Sequence, residues 1–138
     1  MMELTGPAIG RRMGSILRDK RQSDKGIELS GSVCVLCGWA KKDPFGNLLL
    51  HGAHVRGLEN VKDYDRFDNI IALCPNHHVE FDRGNLCIDF DAQVCWHINK
   101  SDEMHGKKLI GKIVHVQRGY FEYHRVHVFK GAQKTTRL

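Results

Sequence analysis

The chain has 138 residues, of which 41% are hydrophobic and 27% charged, the size and composition of one globular domain. This excludes a disordered chain, a collagen-like repeat and a coiled coil, and no apolar run approaches the roughly 20 residues that span a bilayer. The opening residues hold neither an uninterrupted apolar stretch nor a small-residue cleavage site, so the expected compartment is the cytoplasm. There, five cysteines read as metal ligands or buried thiols, not as a disulfide frame.

The net charge of +5 is unevenly spread. Residues 1–26 carry six basic and three acidic side chains, residues 27–96 six and ten, and residues 97–138 nine and three. Two basic ends flank an acidic centre that holds the Cys/His motifs. That layout suits a polyanion held by the ends and a cation bound at the centre; the plainer alternative is that the lysines and arginines only solvate the surface.

In chain order, GPAIGRRMGSILRDKRQ predicts a helix over 7–21, with Pro7 in its first turn and Ile9, Met13, Ile16 and Leu17 on one face. Residues 23–32 read as a polar linker, and Cys34-Val-Leu-Cys-Gly38 as a knuckle-like turn. DPFGN at 43–47 is a turn signal. Leu48–Leu50 and His51–Val55 then read as two strands of a hairpin with His54 at or near the bend. Residues 56–68 are a polar loop, and 69–73 return to the core. Pro75 opens a helix that Gly84 closes. Leu86–Phe90 and Val94–Ile98 read as strands, Leu109–Val116 as a strand, and Gly119–Phe129 as either a strand or a helix.

Cys34-x2-Cys37 is followed by Cys74-x2-His77. Two pairs of ligands with this spacing present four donors to a tetrahedral zinc ion, and closing a long loop on a metal stabilises a small domain. Cys87 and Cys95 alternate with apolar neighbours and read as buried hydrophobes. On the helix 75–83, His78 and Asp82 lie four residues apart and face one way. One imidazole and one carboxylate there suit a divalent cation with open positions, which stabilises the leaving oxygen of a phosphodiester. His54, arriving from a strand, suits a general base.

The stretch GAHV…DNIIALCPNHHVEFDRG, with the preceding C-x-x-C-G, resembles the HNH nuclease family over roughly residues 33–90. The spacing from His54 to Asn69 and on to His78 is similar to that of the colicin DNases, which lack the zinc cysteines. The resemblance implies an α+β fold: a small ββα-metal domain with structural zinc, flanked by an N-terminal helix and a C-terminal extension. It implies His54 as general base and Asn69 as the residue that braces the long loop and so orients that base. It also implies His78 and Asp82 as ligands of Mg²⁺ or Mn²⁺, and Cys34, Cys37, Cys74 and His77 as ligands of Zn²⁺. Two positions depart from the pattern. The fourth zinc ligand is His77 where Cys is usual, and Ala53 precedes His54 where many members place a metal-binding Asp or His. His51, on the strand face of Ala53, either assists the metal or faces DNA or solvent.

The expected organisation is a basic helix and linker over 1–32, a nuclease core over 33–98 and a basic extension over 99–138 packed on that core. The expected activity is metal-dependent DNA cleavage in a restriction, nicking or phage-associated setting. Arg11, Arg12, Arg56, Lys62 and Arg66 are the expected DNA contacts, and a homodimer is expected for double-strand cutting. His97, His105, His115, His124 and His127 read as surface or phosphate-contacting residues. The alternatives are a catalytically inactive zinc-stabilised nucleic-acid-binding module and a toxin-like effector nuclease.

Overall fold

The computed structural model describes residues 19–58 and 62–131; most of the helix expected over 7–21, with Arg11 and Arg12, falls outside them. The segment read as a linker is helical instead, forming α1 over Lys20–Leu29. Its N-cap is Asp19, whose carboxylate accepts from the Arg21 amide at 2.9 Å. Gly26 argues against a helix on propensity alone, and tertiary packing overrides it. A Cβ at position 26 would meet Ile70 Cγ2 at 2.6 Å and the Ile70 carbonyl at 2.9 Å, so glycine is what allows α1 to lie flat on the sheet. Buried Ser30 ends the helix, donating to the Gly26 carbonyl at 2.9 Å and accepting from the Ala72 amide at 3.1 Å.

The strand β1 (His51–His54) does not pair with residues 48–50 as expected. It runs antiparallel to β2 (Ile70–Leu73), with His51 opposite Leu73 and His54 opposite Ile70. The 43–47 turn closes only a small loop of its own, with a single bridge between Lys42 and Leu48, whereas all four residues of β2 are buried. His54 therefore stands at the mouth of a long loop, not at a tight bend. The helix α2 spans Pro75–Arg83 and ends at Gly84 in the left-handed conformation, φ 85°, as the Pro-first, Gly-last pattern predicts.

Strands β3 (Leu86–Asp89) and β4 (Val94–His97) form the second expected pair, extended by β5 (Lys107–Lys108). Residues 109–116 do not form the expected strand. Their amides instead close long-range contacts: Ile110 and Gly111 donate to the Val35 carbonyl at 2.8 and 3.1 Å, and Lys112 to Ser30 at 3.0 Å. The ambiguous tail is the helix α3 (Arg118–His127). Leu36, Ile71, Leu73, Phe81, Leu86, Ile113 and Phe121 share one core, so α2 and both sheets, with residues on either side of them, are one packed unit of small α+β type.

Two of the histidines read as surface residues are buried. His97 and His124 are 6% and 2% exposed. Burial pushes the His124 pKa down to about 4, so its ring is neutral and donates from Nε2 to the Phe81 carbonyl at 2.8 Å. Hydrogen-bonding partners inside the protein, not phosphates, account for both.

Because the approach of α1 to Ile70 leaves no room for a methyl group, Gly26→Ala is expected to lower unfolding free energy by about 1–3 kcal/mol, the usual cost of overpacking. Urea denaturation followed by circular dichroism measures it; an unchanged midpoint would mean that α1 is not seated as described.

Candidate metal centre and active site

The knuckle turn at 34–38 and the start of α2 face each other. The backbone folds at Gly38, φ 81°, with the Gly38 amide on the Cys34 carbonyl and the Cys34 amide on Trp39, both at 2.8 Å. Cys74 is the N-cap of α2, its sulfur accepting from the His77 amide at 3.4 Å. The four ligand-type atoms of Cys34, Cys37, Cys74 and His77 lie within 4.8 Å of one another. Cys37 and Cys74 Sγ are 4.0 Å apart, and His77 Nδ1 is 3.3 Å from Cys74 and 3.8 Å from Cys34 Sγ. A tetrahedral ion with metal–sulfur bonds of about 2.3 Å requires sulfurs about 3.8 Å apart, so this donor set fits zinc.

The electrostatics also suit a dication. Burial pushes the Cys34 thiol up, but His77 and three backbone amides outweigh it and bring the pKa to about 6. Burial pushes Cys37 up to about 12 and raises Cys74. His77 is raised, chiefly by its hydrogen bond to Cys34. One thiolate is thus formed beforehand, and two further thiols give up protons only to a cation that replaces them. Cys87 and Cys95 are buried and belong to no such cluster among the described residues.

His54, His78 and Asp82 border one cavity of about 220 Å³. His54 is 8% exposed, and its Nε2 lies 2.8 Å from Asp65 Oδ1. The other oxygen of Asp65 accepts from the Asp19 amide at 2.7 Å. A carboxylate on Nε2–H places the basic lone pair of His54 on Nδ1 and holds the ring. Spacing alone singles out no residue for this part, because Asp65 is one of four acidic residues in the loop 56–68. Asn69, fully buried, clamps the loop from inside. Its amide nitrogen donates to the carbonyls of Arg56 and Tyr64 at 2.9 and 2.8 Å, and its oxygen accepts from the Arg56 amide at 2.9 Å.

His78 uses both ring nitrogens. Nε2 is 3.1 Å from Asp82 Oδ2, and Nδ1 is 2.8 Å from Nδ1 of His51. One imidazole cannot offer both nitrogens to one ion, so the two pairs are distinct. The His78–Asp82 pair shares its cavity with His54; the His51–His78 pair borders a second cavity, beside Ser23 and Gly52. Burial, with the nearby His78 ring, lowers the His51 pKa, leaving His51 a neutral partner for Nδ1.

The other expected contacts are placed variously. The Arg56 guanidinium lies between the rings of Tyr64 and Tyr123, at 4.3 and 3.8 Å. Arg66 forks onto Asp68 at 3.1 and 3.2 Å. The Lys62 side chain is outside the described atoms. A second group of ligand-type side chains, Glu80, His97 and Asp102, reads as a hydrogen-bonded tie. The Asn99 amide donates to His97 Nδ1 at 3.0 Å, which puts the ring proton on Nε2, where it is donated to Glu80 at 2.9 Å and is unavailable to a metal.

Comparison with known proteins bears on this geometry. Residues 34–89 match the family model described as HNH endonuclease. No curated protein matches the chain. Among solved structures, a modification-dependent TagI restriction endonuclease is similar with a TM-score of 0.60 and 25% identity. The match covers 85% of this chain and 42% of that one, so the chain spans less than half of that enzyme's length.

The Cys3His cluster generates a direct expectation: one zinc per chain by native mass spectrometry, with Cys34→Ser or Cys74→Ser yielding unfolded or insoluble protein, since metal affinity here is folding energy. His77→Cys should keep both zinc and melting temperature. A metal-free protein that melts as before would refute the assignment.

Proposed function

We propose, residues 34–89 being a domain of the HNH endonuclease family, that this protein is a divalent-metal-dependent DNA endonuclease. The observation that carries the reading is the single cavity onto which His54, His78 and Asp82 converge, with a base, its orienting carboxylate and a cation-type pair in place. Mg²⁺ or Mn²⁺, when bound, supplies charge stabilisation to the phosphodiester and its leaving oxygen. His78 Nε2 and Asp82 hold that cation. His51 receives the Nδ1–H of His78 and fixes its ring, the part an outer partner plays for a metal-bound imidazole. Ala53, fully buried, offers no donor atom, so the cation's remaining positions would be left to water and phosphate oxygens.

Proton transfer falls to His54. Its Nδ1 accepts the proton of the attacking water, and the imidazolium that forms is stabilised by the Asp65 carboxylate on Nε2. Asn69 prevents the loop that carries Asp65 from drifting away from β1. Cutting with departure of the 3′ oxygen leaves a 5′ phosphate. The overall charge of +5, concentrated at the two ends, provides affinity for the backbone of a nucleic acid without choosing its sequence. A restriction-type role is the setting that the TagI likeness favours, and double-strand cutting by one site calls for two copies or two visits.

Plasmid relaxation with and without Mg²⁺ or Mn²⁺ tests the reading. His54→Ala should lower the rate about 10²–10⁴-fold, the usual worth of a general base, with zinc content and DNA binding retained. Asp65→Asn should fall in the same direction by a smaller factor, and His78→Ala should lose metal-dependent cutting while keeping zinc. Metal-independent cutting would overturn the cation role of His78 and Asp82, and no cutting by a folded zinc-loaded wild type that still binds DNA would leave the non-catalytic binding module as the function.

A further inference from the structure

The C-terminal end of α2 leans on a helix outside the matched stretch. The His124 ring lies flat on the Phe81 ring, centroids 3.7 Å apart and planes 8° from parallel. Its Nε2 donates to the Phe81 carbonyl at 2.8 Å, a last-turn carbonyl that also accepts from the Gly84 amide at 3.3 Å. Beyond the end of α3, the Lys130 amide donates to the Gly84 carbonyl at 3.0 Å. The fit at that point is close: a Cβ on Gly84 would collide with the Val128 carbonyl. His124 and Val128 also border the cavity that holds His54, His78 and Asp82. Asp82 itself is largely exposed, its side chain touching His78 alone in the described ion pairs, so the backbone at 81–84 decides where its carboxylate stands.

We propose that His124 is a positioning residue for the divalent-cation site, holding Asp82 against His78 through Phe81, and that α3 is thereby a wall of the active site. This rests on the reading of His78 and Asp82 as the cation pair, and the test separates the two. Mn²⁺ binding to the full chain is followed by electron paramagnetic resonance, and nicking is titrated against Mn²⁺. Wild type that binds no Mn²⁺ beyond its zinc, or His78→Ala that binds it equally well, removes the underlying reading and the proposal with it. With that control passed, His124→Phe, which keeps the ring stack and loses the donor, should raise the half-saturating Mn²⁺ concentration about tenfold, as losses of an outer partner do. His124→Gln, which keeps a donor at similar reach, should stay within about threefold of wild type on the same scale. Zinc content should be unchanged throughout.

Phe121→Leu, a core change on the same helix, separates positioning from packing, since it should lower the melting temperature without moving the Mn²⁺ dependence. If His124→Phe leaves that dependence where it is, or Phe121→Leu shifts it as far, the proposal is wrong. Should His124→Phe fail to fold, His124→Leu, which also removes the donor, is measured against the same two criteria.

Discussion

Everything in this molecule depends on where a helix of nine residues is held. A helix as short as α2 has little stability of its own, and its placement comes from its neighbours. Four of its side chains or carbonyls are each taken by a different element: His77 by the cysteine knuckle, His78 by His51 of β1, Glu80 by His97 of β4, and the Phe81 carbonyl by His124 of α3. The buried Phe81 ring fills the remaining side. With the helix held on all these sides, adjacent residues can serve separate purposes without a large core beneath them.

The loop between β1 and β2 is held by a different device. It contains four acidic side chains and several basic ones, and left to itself would sample many conformations at an entropic advantage. Asn69 replaces missing ladder bonds with three of its own. Arg56, between two tyrosine rings, anchors the first turn, and Gln22 of α1 accepts from the Phe67 amide at 2.8 Å. In the described part of the loop, order comes from buried polar groups that find partners there, where low dielectric makes each bond count for more.

The parts legible in the sequence are those whose cause is local. Pro75 and Gly84 mark the ends of α2 because each is suited to its terminus whatever lies nearby. The short apolar runs LCID and VCWH show β3 and β4 because most of their residues are buried. The ligand-type residues can be gathered because two knuckles and an i, i+4 pair are short-range geometry. The parts hidden from it are set by contacts distant in sequence. Residues 23–32 look like a linker until Ile70 is seen to need a glycine against it. The partner of β1 lies 16 or more residues on, behind a turn signal that closes a smaller loop. Asp65 cannot be told from Asp63 or Asp68 without the fold, and His97 and His124 look like surface histidines until their carbonyl and carboxylate partners are placed.

The adjacency of His77 and His78 limits how such a chain can change over evolutionary time. Each residue added to a helix rotates the residues beyond it by about 100°. An insertion or deletion anywhere between Cys74 and Asp82 would therefore turn one group of side chains away from its neighbours whichever end stayed fixed. The segment is in effect a single indivisible word, open to substitution letter by letter but closed to changes of length. The 43–47 turn, bonded mainly to itself through Asp43, carries no such restriction, and length variation among descendants of this chain should collect there.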